Sequence, residues 1–191
     1  MKTQTTLAAL ASLMLLQTAI LQPALGAPTP KPAVGEKALD FTLLTNDDKS
    51  LTLSKLEGKR AAVLVFFATW CPHCMTEVPD IKRFVEASKE KDVLVYGVNF
   101  KQTKRVVDKF VESEAVNYRI LLDADGSVAK AYGVTGIPHI VGIDKNGIVQ
   151  FRGSEIPKDT GKFIETLTTQ QKPEDSLSLI TKETLQEWMA D

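Results

Sequence analysis

The sequence predicts an α/β fold in which a central mixed β-sheet is flanked by helices, with an N-terminal β-hairpin and an extra C-terminal helix. Three observations predict it. An uninterrupted apolar run at 61–67 reads as a strand buried on both faces, and 93–99 as a second buried strand. Each is followed by a segment whose apolar residues recur at helical spacing. Near the end, two short apolar runs flank Asp144-Lys145-Asn146-Gly147, and Asn-Gly is a strong hairpin signal.

In chain order, Phe41 to Leu44 and Leu51 to Leu53 surround the polar turn Thr45-Asn46-Asp47-Asp48 and form the first hairpin. Gly58-Lys59 marks the turn before the strand Ala61 to Phe67. A helix then starts at the cysteines, with Cys74, Val78, Ile81 and Val85 on one face and Pro79 expected to kink it. Val93 to Asn99 is the second buried strand, and a helix from about Thr103 carries Val106, Val107, Phe110 and Val111 as its stripe. Ile120 to Leu122 is a short strand, and Ser127 to Tyr132 a short helix that Gly133 closes. Strands at 140–143 and 148–151 make the terminal hairpin, and a helix from about Asp159 to Thr169 covers the sheet. Residues 173–191 add a helix with an imperfect stripe of Leu177, Ile180, Leu185 and Trp188.

The 191 residues carry a net charge of −1, with acidic and basic residues interleaved. Neither a nucleic acid nor an anionic membrane surface is therefore expected as the main partner. The first 26 residues read as a secretory signal: Lys2, an uncharged run from Leu7 to Leu21, Pro23, then small residues before Ala27. An uncleaved membrane anchor is the alternative, although a span needs about 20 apolar residues and this run holds Gln17 and Thr18. Residues 27–34 read as an extended proline-rich linker, 35–172 as one domain and 173–191 as its helical extension. The protein is expected outside the cytoplasm, as a monomer.

Both cysteines of the chain lie in Cys71-Pro72-His73-Cys74. A bridge that short closes too small a loop to stabilise a domain much, so chemistry explains the pair better than structure does. Cys71 sits where a buried strand gives way to a helix, and unpaired N–H groups with the helix dipole favour a negative charge there. Its thiol pKa is expected to fall from about 8.5 toward about 3.5–7.5, and only the thiolate attacks a disulfide. Cys71 is then the nucleophile, and Cys74, one turn on, the resolving thiol. Pro72 suits the first helical turn, and His73 is placed to tune the Cys71 sulfur by charge or hydrogen bond. Gly136-Ile137-Pro138-His139 is a second, weaker signal before a strand.

The run Phe67-Ala68-Thr69-Trp70-Cys71-Pro72-His73-Cys74, with Glu77 and Pro79, resembles the thioredoxin superfamily, and most closely the exported TlpA/ResA-like disulfide reductases of the redoxin group. The resemblance extends from about Gly35 to Gly153, taking in Asp40-Phe41-Thr42-Leu43, Tyr132-Gly133-Val134, Gly136-Ile137-Pro138 and Asn146-Gly147. It implies a thioredoxin-like fold, with thiol–disulfide exchange and no cofactor. It also implies a cis-proline at Pro138, with Trp70, Pro72 and the backbone of Ile137 meeting the substrate. The implied partners are exported proteins with thiols or disulfides, and a membrane electron donor or acceptor.

The chain also departs from that family. The acids that serve the resolving thiol in thioredoxin and in ResA-like proteins are replaced by Val65 and Gln102. His139 stands where the family usually has Thr, and is a candidate base for Cys74. Two Cys and two His also form a metal set by type, but without zinc-finger spacing, and a copper carrier of this fold has a longer gap between its cysteines. A peroxiredoxin-like peroxidase would need a Pro and a Thr shortly before its cysteine, and only Thr69 is there. A pure binding module would not need both thiols. The Pro-His pair resembles the oxidising DsbA centre, so the direction of electron flow is open at this level.

Overall fold

The computed structural model describes residues 31–169. The signal-like segment, part of the linker and the 173–191 helix expected from sequence lie outside the described residues. Strands β1 (Thr42–Leu44) and β2 (Ser50–Thr52) form an antiparallel hairpin. β3 (Ala61–Phe67), β4 (Val93–Phe100), β5 (Arg119–Asp123), β6 (His139–Ile143) and β7 (Val149–Gly153) make one sheet in the order β5-β4-β3-β6-β7. β3, β4 and β5 run parallel, while β6 and β7 are antiparallel to their neighbours. The helices are α1 (Pro72–Ser88), α2 (Lys104–Ser113), α3 (Ser127–Ala131) and α4 (Thr160–Thr168).

All seven residues of β3 are buried, as expected for a central strand covered on both faces. Its period-2 alternation sorts two cores. Ala62, Leu64 and Phe66 pack with Tyr96, Val98, Leu121, Tyr132 and Val141 beneath the hairpin and α3. Ala61, Val63 and Val65 pack with Ile81, Phe84, Phe163 and Leu167 of α1 and α4. Phe67 continues that second face into a cluster with Cys71, Cys74, Val78, Val107, Phe110 and Ile120. Gly97 makes this layer possible, because a Cβ there would come within 2.6 Å of Ile120 Cδ1 and 2.9 Å of Phe67 Cε1.

Two sequence expectations change in detail. Phe84, not Val85, completes the buried stripe of α1, because the stripe continues at a spacing of three from Ile81. α1 spans 72 to 88 with the exposed Pro79 inside it. On α2 the core face is Val107 and Phe110, and Val106 is 38% exposed, one position off that face. Gly133 closes α3 with φ +66°, the left-handed cap conformation glycine adopts without a Cβ penalty. Asp123 at the end of β5 is fully buried, and its carboxylate accepts from the amides of Val128 and Ala129 (3.2 and 2.8 Å) at the start of α3.

Candidate active site

β3 ends at Phe67, and four residues later Cys71 is the N-cap of α1, in extended backbone geometry (φ −88°, ψ 111°). Pro72 occupies the first turn, where no amide is needed. The Cys71 Sγ accepts from the Cys74 backbone N–H at 3.2 Å, so the sulfur takes the place of a capping oxygen. Cys71 and Cys74 are joined as a disulfide with their Cα atoms 5.2 Å apart. Cys71 is 5% exposed and Cys74 2%, while the neighbouring Trp70 is 65% exposed. Pro72 and His73 are exposed too, and the His73 carbonyl accepts from the Thr76 hydroxyl. The site is therefore a nearly covered sulfur pair on a rim of exposed Trp70, Pro72 and His73.

The Ile137–Pro138 peptide is cis, and the Ile137 carbonyl oxygen lies 3.6 Å from Cys71 Sγ. That brings together Cys71, Cys74, Trp70, Pro72, Ile137 and Pro138. It does not bring His139 to them. His139 pairs with Phe66 across the antiparallel β3–β6 ladder, its ring lies 6.5 Å from that of Phe66, and Phe66 belongs to the core on the opposite face from Cys74. There, Arg152 donates to His139 Nε2 (2.9 Å), to the Tyr132 carbonyl (2.6 Å) and to the Pro32 carbonyl (2.8 Å). Guanidinium only donates, so His139 must be neutral and unprotonated on Nε2. Burial, and then the Arg152 charge, hold its pKa below the usual imidazole value. The base assigned to His139 from sequence thus has no path to Cys74, because strand alternation turns the side chain away.

Val65 is fully buried in the α1–α4 core and Gln102 is a clamp. The Gln102 Oε1 accepts from the Thr69 backbone N–H (2.7 Å) and from Asn99 Nδ2 (2.9 Å), and its Nε2 donates to the Thr69 hydroxyl (2.8 Å). The amide thereby ties the end of β4 to the loop that delivers Cys71. Sequence reasoning missed Asn99 and Arg152. Asn99 had a signal: it is a polar residue in register with Val95 and Gly97 on a strand read as wholly buried. Glu77 is partly buried and accepts from the Ile156 amide at 3.3 Å. Among the described residues no group of three or more His, Cys, Asp or Glu is arranged to hold a metal ion. No helix among them is long and apolar enough to cross a membrane.

The AhpC/TSA family model matches residues 34–152. The thiol-disulfide oxidoreductase ResA of Halalkalibacterium halodurans is 32% identical over 113 residues, 59% of this chain and 64% of that protein. The thiol:disulfide interchange protein DsbE of Pseudomonas aeruginosa is 34% identical over 116 residues, 60% of this chain and 62% of that protein. The chain thus spans just under two thirds of the length of these two relatives. Among solved structures, DsbF of MTB, in mixed oxidized and reduced forms, superposes with a TM-score of 0.60 at 28% identity, covering 67% of this chain and 95% of that one.

Proposed function

Because this chain belongs to the AhpC/TSA family, we propose that its Cys71–Cys74 pair makes it a thiol–disulfide oxidoreductase that reduces disulfides in proteins outside the cytoplasm. The observation that carries this reading is Cys71 at the start of α1, its sulfur already receiving an N–H of the first turn beside an exposed Trp70. Backbone donors at that point stabilise a thiolate without any ionisable neighbour. In the reduced protein, Cys71 Sγ attacks one sulfur of a partner's disulfide and the other partner sulfur leaves as a thiolate that takes up a proton. Cys74 then gives up its proton and attacks Cys71 Sγ. The second partner thiol is released, and the Cys71–Cys74 disulfide seen here is the product. Two electrons from a membrane dithiol donor restore the starting state.

The exposed Trp70 and Pro72, with the Ile137 carbonyl beside Cys71, form the surface against which an extended partner segment lies. One further feature supports a reductase. The order β3-α1-β4-α2-β5 holds no inserted helical domain of the kind that marks DsbA-like oxidases. Residues 1–26 serve export in this reading, and the working form is a monomer.

The test is the equilibrium of the pair with glutathione and with dithiothreitol, alongside trapping with Cys74→Ser. The expected midpoint lies nearer thioredoxin's, about −270 mV, than DsbA's, about −120 mV. Cys74→Ser should accumulate mixed disulfides through Cys71. A midpoint above about −150 mV would assign the oxidase role instead. Consumption of hydrogen peroxide at rates rivalling disulfide exchange would assign a peroxidase.

A further inference from the structure

The Oδ1 of Asn99 is the one buried side-chain polar atom among the described residues that has no hydrogen-bond partner. Asn99 itself is 0% exposed. Leaving a buried acceptor unpaired costs about 1–3 kcal/mol, so this position calls for an explanation.

The orientation of the two amides follows from the backbone. The Thr69 N–H can only donate, so Gln102 must present Oε1 to it, at 2.7 Å. That same Oε1 faces the Asn99 amide at 2.9 Å, so Asn99 must present Nδ2 there. Exchanging N and O in either side chain would set two donors or two acceptors against each other. The Asn99 carbonyl oxygen is therefore forced to the remaining side. In register, Asn99 lies between Phe67 of β3 and Leu122 of β5, and both of these pack in the cluster containing the cysteines. The buried members of that cluster are Phe67, Cys71, Cys74, Val78, Val107, Phe110 and Ile120. Among these buried members only the cysteine side chains ever carry a hydrogen-bond donor, and they carry it only when the disulfide is open. Tyr118, also packed against the cluster, precedes Arg119, whose ladder partner Tyr96 lies three residues back along β4 from Asn99. Cys71 faces the rim, and Cys74 is the deeper of the two.

We propose that Asn99 Oδ1 accepts the S–H of Cys74 in the reduced protein, directly or through one bridging water, which makes Asn99 a positioning residue that favours the dithiol form. This rests on the reading of the pair as a thiol–disulfide centre. On reduction by glutathione the Cys71–Cys74 bond breaks, two electrons and two protons give two thiols, and two glutathiones join as their disulfide. The proton delivered to Cys74 meets an acceptor that the Thr69 amide has oriented in advance through Gln102. A neutral amide cannot take that proton away, so it contributes by stabilising the thiol. Neither Val65 nor Gln102 carries a charge.

The experiment compares wild type and Asn99→Leu in glutathione buffers. The expected result is an equilibrium constant shifted about tenfold toward the disulfide, a midpoint about 30 mV more negative. A constant unchanged within about twofold would overturn the proposal, since a water satisfying Asn99 equally in both states gives that outcome. A wild-type pair that does not exchange with glutathione at all would instead overturn the functional reading. If Asn99→Leu does not fold, Cys71→Ala leaves Cys74 as the one thiol, and its S–H stretching band gives the answer. A band shifted to lower frequency than that of an unbonded thiol supports the contact, and an unshifted band overturns it.

Discussion

Acidification should loosen this protein through one imidazole. His139 offers Nε2 to Arg152, and the same guanidinium holds the carbonyls of Tyr132 and Pro32. Protonation would remove that acceptor and set two cations 2.9 Å apart. The His139 pKa is lowered in the folded protein, so its stabilising contribution is present above the unfolded value of about 6.5 and is lost as pH falls toward the folded value. The loss is at most about 1.4 kcal/mol per pH unit, so wild type should weaken by up to about 1.4 kcal/mol between pH 8 and 5.5 relative to His139→Gln. Glutamine keeps an acceptor for Arg152 and does not titrate. With a urea m-value of about 1.5 kcal/mol/M, that difference moves the unfolding midpoint by about 1 M. His73, the only other histidine, and all the carboxylates are common to both proteins and cancel. Urea melts at half-unit pH steps measure it. A difference between the two proteins that stays flat from pH 8 to 5.5 would refute the reasoning.

Other outcomes follow from the contacts described. Gln102→Leu strands the Thr69 N–H and should cost about 1–3 kcal/mol in urea unfolding. It should also slow the reaction of Cys71 with a small aromatic disulfide, measured from the initial release of the coloured thiol. Asp123→Ala removes the acceptor for two amides at the start of α3 and should cost about 2 kcal/mol by the same melts. Gly133→Ala places a Cβ at φ +66° and should cost about 1 kcal/mol, read as a lowered thermal midpoint with exchange activity retained.

The strands and helices were largely legible because burial on both faces writes itself as an unbroken apolar run and burial on one as a stripe. Ala61 to Phe67 is of the first kind, and Cys74, Val78 and Ile81 on α1 are of the second. The order of strands in the sheet, by contrast, depends on which runs meet in space, and nothing local in Ile140 to Ile143 says that it pairs with β3. Cys71 and Cys74 were legible because a three-residue spacing at a strand-to-helix junction is a local fact. The misreading of His139 came from treating nearness in the fold as facing. One residue of strand phase decides between the two faces, and that phase is set by its pairing with Phe66, some 70 positions away. Gln102 was identified as a missing acid, yet its work as a clamp depends on an amide at Thr69 that periodicity cannot show.

The cap of α1 is itself the reacting atom, and this has a consequence for how the protein can be watched. In a dithiol state with Cys71 ionised, the Cys74 N–H is held by a charged sulfur, a bond roughly twice as strong as a neutral one. In the disulfide, or in a mixed disulfide with a partner, the same amide has only a weak neutral acceptor. The first turn of the helix is therefore expected to be held more tightly in the thiolate form than in the bridged forms. Deuterium uptake at the single backbone amide of Cys74, slow in the thiolate form and faster in the bridged forms, would act as a clock for turnover written into the main chain.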